Sequence, residues 1–253
     1  MKMRVEICCG SYDDCIQSEK GGADRVELNS ALFLGGLTPS DATVRKTIEN
    51  CHLPIICMVR PRGAGFCYQP WEAEIMFSDA ERMLNLGCAG IAFGFLNEDR
   101  TINNAWTKRM IELIHSYPGK REAVFHRAFD CVQDMDASIQ LLISLGCDRV
   151  LTSGGKGKAF DGAERIRDLQ KNYGNKIEIL AGSGINAGNA ADLILQTGIA
   201  QVHSSAKTWE IDSTTTAQDV SYAYHGKFDY DAVSLSKVRE LADAVRNMQH
   251  SGR

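Results

Sequence analysis

One pattern recurs along the chain: an apolar helix end, a glycine, two or three small or polar residues, then a short apolar run. It occurs as GGADRVEL (21–28), LGCAGIAF (86–93), LGCDRVLT (145–152) and TGIAQVHS (197–204). The glycine suits the left-handed position that closes a helix, and the run after it suits a strand covered on both faces. Gly22, Gly87, Gly146 and Gly198 are separated by 65, 59 and 52 residues, each about twice the ~30 residues of one βα unit. These are therefore every second strand of a longer series. The full set reads Arg4–Cys9, Arg25–Leu28, Pro54–Arg60, Gly90–Phe95, Glu122–His126, Arg149–Thr152, Ile177–Ala181 and Gln201–His203. Helical stripes fill the intervals: Ile75, Met76, Ala80, Met83 and Leu84; Ile139, Leu142 and Ile143; and Val238, Leu241, Ala242, Val245 and Met248.

Eight alternating strand–helix units without a linker predict an α/β fold, a (β/α)8 TIM-type barrel forming one domain over residues 1–253. The length agrees with the roughly 250 residues of that fold. An open doubly wound sheet, with its usual five or six strands, would leave two units over. The polar stretch Lys207–Tyr230 lacks either period, so a long irregular loop is expected over 206–232, after the eighth strand. Loops of that length commonly serve as lids or binding loops.

Composition narrows the function classes. A net charge of −4 gives no electrostatic footprint for nucleic acid or an anionic membrane surface. The apolar runs fall far short of the ~18 residues of a membrane span, and MKMRVEICCG contains no secretory apolar core. Nine cysteines, an odd number scattered among strands and helices, do not make a disulfide framework. The cytosol is the expected compartment.

In such a barrel the chemistry sits where the strands end, and seven of the eight end in polar groups. The first supplies Glu6, Cys8 and Cys9, the second Glu27 and Asn29, the third Arg60 and Arg62. The fifth, opened by the apolar Ala123–Phe125, closes in His126, Arg127 and Asp130. Thr152, Ser153 and Gly154 follow the sixth; Gly182, Ser183 and Gly184 the seventh; His203, Ser204 and Ser205 the eighth. The fourth ends in Phe93-Gly94-Phe95.

Glu6, Glu27, Arg60, His126 and Asp130 are the candidate catalytic set. Glu6 or Glu27 would act as general base, His126 as acid–base partner and Arg60 as anion clamp. Ser153, Gly154, Gly182, Ser183, Gly184, His203, Ser204 and Ser205 are the candidate anion- or phosphate-binding groups, since barrels often hold phosphate with the last loops. A bland alternative uses the same residues as an ion-pair plug in the barrel mouth, because charges inside strands need partners to be tolerated at all. For metal, soft thiolates select Cu(I) or zinc. Alternation along the first strand puts Glu6 and Cys8 on one face and Cys9 on the other, so Cys8-Cys9 is not a chelating pair. Cys67, after the third strand, is expected to approach Cys8 across the mouth. Cys88 and Cys147 read as small buried hydrophobes.

The segments EICC (6–9), GGADRVEL (21–28), GGLTPS (35–40), RPRG…FCY (60–68), VFHRAFD (124–130), RVLTSG (149–154), AGSGI (181–185) and VHSSA (202–206) together resemble the CutC copper-homeostasis family from Glu6 to about Arg246. The resemblance implies a cytosolic barrel, association into homo-oligomers and cysteines as Cu(I) ligands: here Cys8, with Cys9 and Cys67 as helpers. Two positions depart from the family pattern. Asn29 stands where members commonly carry the second copper cysteine, and Ala64-Gly65 where Gly-Asp is usual. An amide binds Cu(I) poorly. The two expectations are thus copper handling, and catalysis on a small phosphorylated or otherwise anionic molecule.

Overall fold

All eight expected strands form and close into a parallel barrel in the computed structural model, which describes residues 3–226 and 229–251. They are β1 (Arg4–Cys9), β2 (Arg25–Leu28), β3 (Ile55–Met58), β4 (Gly90–Phe93), β5 (Glu122–Phe125), β6 (Arg149–Thr152), β7 (Glu178–Gly182) and β8 (Gln201–Ser204). Pairing of Arg4 with Gln201 and of Ile7 with Ser204 joins β8 to β1 and completes the ring. The helices α1 (Tyr12–Gly21), α2 (Asp41–Asn50), α3 (Pro70–Leu86), α4 (Asn104–His115), α5 (Met135–Ser144), α6 (Ala163–Tyr173), α7 (Ala190–Thr197) and α8 (Leu235–Ser251) alternate with the strands.

Local chemistry explains the element ends. Ser11 caps α1 by accepting from Asp14 N, and α3 starts with Pro70 after a Gln69–Glu72 capping box. The four repeat glycines all adopt positive φ, from +74° to +101°, as the closing position requires. Strand 5 stops at Phe125, one residue earlier than expected, because His126 opens a tight turn over Arg127–Cys131 and caps it by accepting from Ala128 N. Strand 3 is shorter too: Arg60 N turns aside to donate to Thr38 Oγ1.

Two expectations are corrected. The stretch 206–232 is not all irregular: β9 (Lys207–Ile211) and β10 (Asp229–Val233) pair antiparallel, Lys207 opposite Val233 and Ile211 opposite Asp229. Thr208, Trp209, Ile211 and Tyr230 favour strand, but of the residues in these two strands only Val233 is buried, so little buried face imprinted a period. Residues 227–228 of this stretch lie outside the described residues. On α3, Ile75 is exposed, whereas Met76, Ala80, Met83 and Leu84 are buried as expected.

Two cores result. The larger lies between strands and helices and holds Val5, Ile7, Cys9, Val26 and Leu28 with the helix stripes. Inside the barrel, a smaller apolar cluster forms where Ile56, Met58, Ala92 and Val124 meet. At the strand starts the interior is ionic. Arg149, fully buried, donates to Glu122 Oε2 at 2.6 Å and Glu178 Oε2 at 3.1 Å, and Arg25 bonds Glu6 and Gln201. Arg25, Glu122, Arg149, Glu178 and Gln201 begin their strands. The ion-pair plug therefore exists, but it closes the bottom of the barrel and leaves the mouth open.

Candidate functional site

Above the plug the strand ends enclose a cavity of about 310 Å³, lined among others by Cys8, Glu27, Arg60, His126, His203 and Ser204. Its lining draws on residues as far apart in the chain as Cys8 and Lys207.

His126 is buried, and its Nδ1 accepts from Ala128 N at 3.1 Å. That contact assigns the neutral tautomer with the proton on Nε2. The buried Nε2 has no partner among the described residues. Burial, with the Arg60 charge adding to it, pushes the imidazole down to about 3, so it is neutral at physiological pH. Arg60 is also buried. Its guanidinium donates to Leu34 O and Gly36 O at 3.0 and 3.1 Å and to Ala64 O at 2.6 Å, and lies 5.1 Å from the Phe66 ring centre. No carboxylate among the described residues pairs with it, and its buried Nε has no partner. This cation is held by neutral carbonyls.

Glu27, Cys8 and His203 form a second group. Cys8 Sγ lies 3.7 Å from Glu27 Oε2, Asn29 Nδ2 donates to the same oxygen at 3.1 Å, and His203 Nε2 is 4.0 Å from it. The Cys8 sulfur and the carboxylate and imidazole donor atoms all lie within 4.8 Å of one another. Burial raises Glu27 above the usual carboxylate range, with Glu6 adding to the rise, and pushes the Cys8 thiol up to about 11. His203 moves the other way. Burial disfavours its charge, but Cys8, Glu6 and Glu27 outweigh that and raise it well above the ordinary value.

Several expected members are elsewhere. Glu6 does not line the cavity: it lies beneath, bonded to Arg25 and to His203 Nδ1 (2.7 Å). Burial would raise its carboxyl, but Arg25, His203 and Arg149 hold it far below the usual range. It is a locked carboxylate, unsuited to act as base. Asp130 is committed to the loop after β6, accepting from Thr152 Oγ1 (2.6 Å), Ser153 N (2.9 Å), Gly155 N (3.1 Å) and Arg127 Nε (2.8 Å). Ser153 and Gly154 are drawn into that network and do not face the cavity. Gly182 ends β7 without lining it. Ser183, Gly184, Ser204 and Ser205 do line it, yet the Ser183 and Ser204 hydroxyls donate to Gly157 O and Ile185 O. The N–H groups of Gly184 and Ser205 meet no acceptor among the described residues.

Cys9 points to the helix layer, its Sγ 3.3 Å from Ser18 Oγ, so it cannot share an ion with Cys8. Cys67 is exposed and outside the cavity lining. Lys207 and Phe66, which line the mouth, were not among the expected site residues. Lys207 lies two residues beyond the serines after β8 and could have been read from them, whereas Phe66 belongs to the FCY segment (66–68) of a loop, where nothing local marks it as facing the mouth.

The sequence and the fold both have close counterparts. The CutC family profile matches residues 3–208. A CutC family protein of Treponema denticola is 40% identical over 248 residues, covering 97% of this chain and 99% of its own. One of Vibrio cholerae is 40% identical over 208 residues, covering 82% and 81%. The crystal structure of a Streptococcus agalactiae CutC, named for copper homeostasis, superposes with a TM-score of 0.75 at 29% identity, covering 80% of this chain and 98% of that one. A closed eight-stranded barrel bearing these strand-end motifs and matched over this span belongs to the CutC family.

Proposed function

We propose that the barrel mouth binds a compact anionic small molecule and acts on it by proton transfer. The observation that carries this reading is the Arg60–His126 pair: a buried guanidinium without a carboxylate partner, next to a neutral imidazole whose buried Nε2 is unpartnered. Leaving such donors unmet costs roughly 1–3 kcal/mol each, and a bound carboxylate or phosphate would satisfy both. Arg60 holds the anion. The Nε2–H of His126 faces the oxygen on which charge develops, as a neutral imidazole can. Glu27, raised above the usual carboxylate range by burial, is the group suited to exchange a proton in the metal-free mouth. The Gly184 and Ser205 N–H groups supply further donors.

The test is a thermal and calorimetric titration with inorganic phosphate and small carboxylates. A ligand at 100 times its Kd stabilises the fold by about 2.7 kcal/mol, and that gain should vanish in Arg60→Gln. Equal shifts in both proteins would sink the anion reading.

A second reading, copper handling, is favoured by Cys8 beside His203 and by the name of the Streptococcus agalactiae relative. Cu(I) would be cargo held by Cys8 Sγ and His203 Nε2, a single-thiolate site, because Cys9 and Cys67 are not placed to help and Asn29 is an amide. It predicts one Cu(I) per chain, retained against a strong chelator and released in Cys8→Ser. Protein that takes up no Cu(I) under reducing conditions ends it.

A further inference from the structure

We infer that Cys8, Glu27 and His203 bind one divalent first-row cation of the zinc class, with a fourth coordination position open to the cavity. The argument begins with donor type. One thiolate, one carboxylate and one imidazole make a borderline set, softer than an Mg²⁺ site and harder than the paired thiolates that Cu(I) prefers. It continues with spacing. Zinc bonds of about 2.3 Å to sulfur and 2.0–2.2 Å to nitrogen and oxygen give tetrahedral edges of about 3.4–3.6 Å. The observed edges are 3.7 Å from Cys8 Sγ to Glu27 Oε2 and 4.0 Å from His203 Nε2 to the same oxygen. The third edge is within 4.8 Å. The Cys8–Glu27 edge is already close to tetrahedral length, the His203–Glu27 edge must close by roughly half an ångström, and β1, β2 and β8, which carry the three ligands, are adjacent strands.

The surroundings add an independent observation, since two of the three ligands, His203 and Glu27, are already aimed by a fixed partner. His203 turns Nδ1 to Glu6 at 2.7 Å, leaving Nε2 for an ion, and Glu6 is pinned in turn by Arg25 and Arg149. Such carboxylate–histidine pairs orient metal ligands and set their tautomer. Glu27 Oε2 is fixed by Asn29 Nδ2 at 3.1 Å. Asn29 Nδ2 also lies 3.6 Å from Cys8 Sγ, so this amide holds the sulfur and the carboxylate together where a second cysteine would compete as a ligand. Three protein ligands with one open position is the arrangement of a catalytic zinc site. That position gives onto the cavity lined by Arg60 and His126, so an oxygen of an anion held there is the natural fourth ligand.

The experiment is Co(II) titration of chelator-stripped, reduced full-length protein, followed by displacement with Zn(II). One equivalent should produce the intense visible bands of tetrahedral cobalt together with a near-ultraviolet thiolate-to-cobalt band, and Zn(II) should bleach both. Cys8→Ser should abolish the thiolate band, and Glu27→Gln should weaken uptake at least tenfold. Cys67→Ser should behave as the parent, with circular dichroism confirming that each variant is folded. If one of the two ligand variants fails to fold, the other still decides. Weak octahedral spectra, a thiolate band that survives Cys8→Ser, or uptake of Cu(I) with none of Co(II) or Zn(II) would each overturn the assignment. Because phosphate titration of the metal-free protein is scored separately, failure of this site and failure of the anion reading are distinguishable.

Discussion

A carbon added at Gly94 would lie 2.6 Å from Cε1 and 2.7 Å from Nδ1 of His126. The one strand that ends without a polar group therefore still shapes the site, by having no side chain where the imidazole packs. Gly94→Ala should push the ring off its cap on Ala128, costing about 1–3 kcal/mol and weakening anion binding at the mouth. Urea denaturation and phosphate titration measure both. Unchanged stability and affinity would mean that the ring has room to spare.

Acid should weaken the fold through His126. An unfolded histidine titrates near 6.5, whereas the buried ring is held at about 3. As pH falls from 6.5 toward 3, the unfolded chain takes up a proton that the folded ring refuses. Its contribution is thus fully present above pH 6.5 and is lost going down. Between pH 7 and 5 the loss amounts to about 2 kcal/mol. His126→Gln should lack that part of the slope, which matched urea curves at the two pH values would reveal.

Asp130 is expected to matter for folding more than for chemistry. Asp130→Asn removes a charge that gathers Thr152, Ser153, Gly155 and Arg127, and should destabilise by about 2–4 kcal/mol. Amide exchange at Ser153 and Gly155 should speed up. If exchange and stability hold while ligand turnover is lost, Asp130 belongs to the chemistry after all.

Arg149→Met would leave Glu122 and Glu178 without their buried partner at the barrel floor. Breaking a buried pair from one side costs about 3–5 kcal/mol, so a clear drop in Tm is expected. A variant as stable as the parent would show that methionine packing replaces the plug.

The remaining cysteines should be bystanders to metal. Cys67→Ser, on the exposed surface, should change stability by less than about 0.5 kcal/mol. Neither it nor Cys9→Ala should alter Co(II) or Cu(I) uptake. A lost equivalent in either variant would redraw the ligand set.

What the sequence determined by itself was the periodicity. Helix-closing glycines, buried strands and the counting of units were legible because each depends on neighbours a few residues away, and so was the opposite facing of Cys8 and Cys9. The strand-end residues Glu27, Arg60, His126 and Ser204 could be named as candidates for the same reason. Only the closed ring decided which of them share a cavity. Glu6 sits one pleat below Cys8 on the same face, close enough to Arg25 and His203 to be locked, and no local pattern records that depth. Asp130 likewise looks catalytic in VFHRAFD until the β6 loop folds onto it and claims both oxygens. The paired strands 207–211 and 229–233 escaped notice because, Val233 apart, their side chains are exposed or half-buried, and such strands leave little alternation to read. Partners drawn from β1, β2, β5 and β8 are a matter of register around the barrel, which long-range pairing sets and the linear pattern does not.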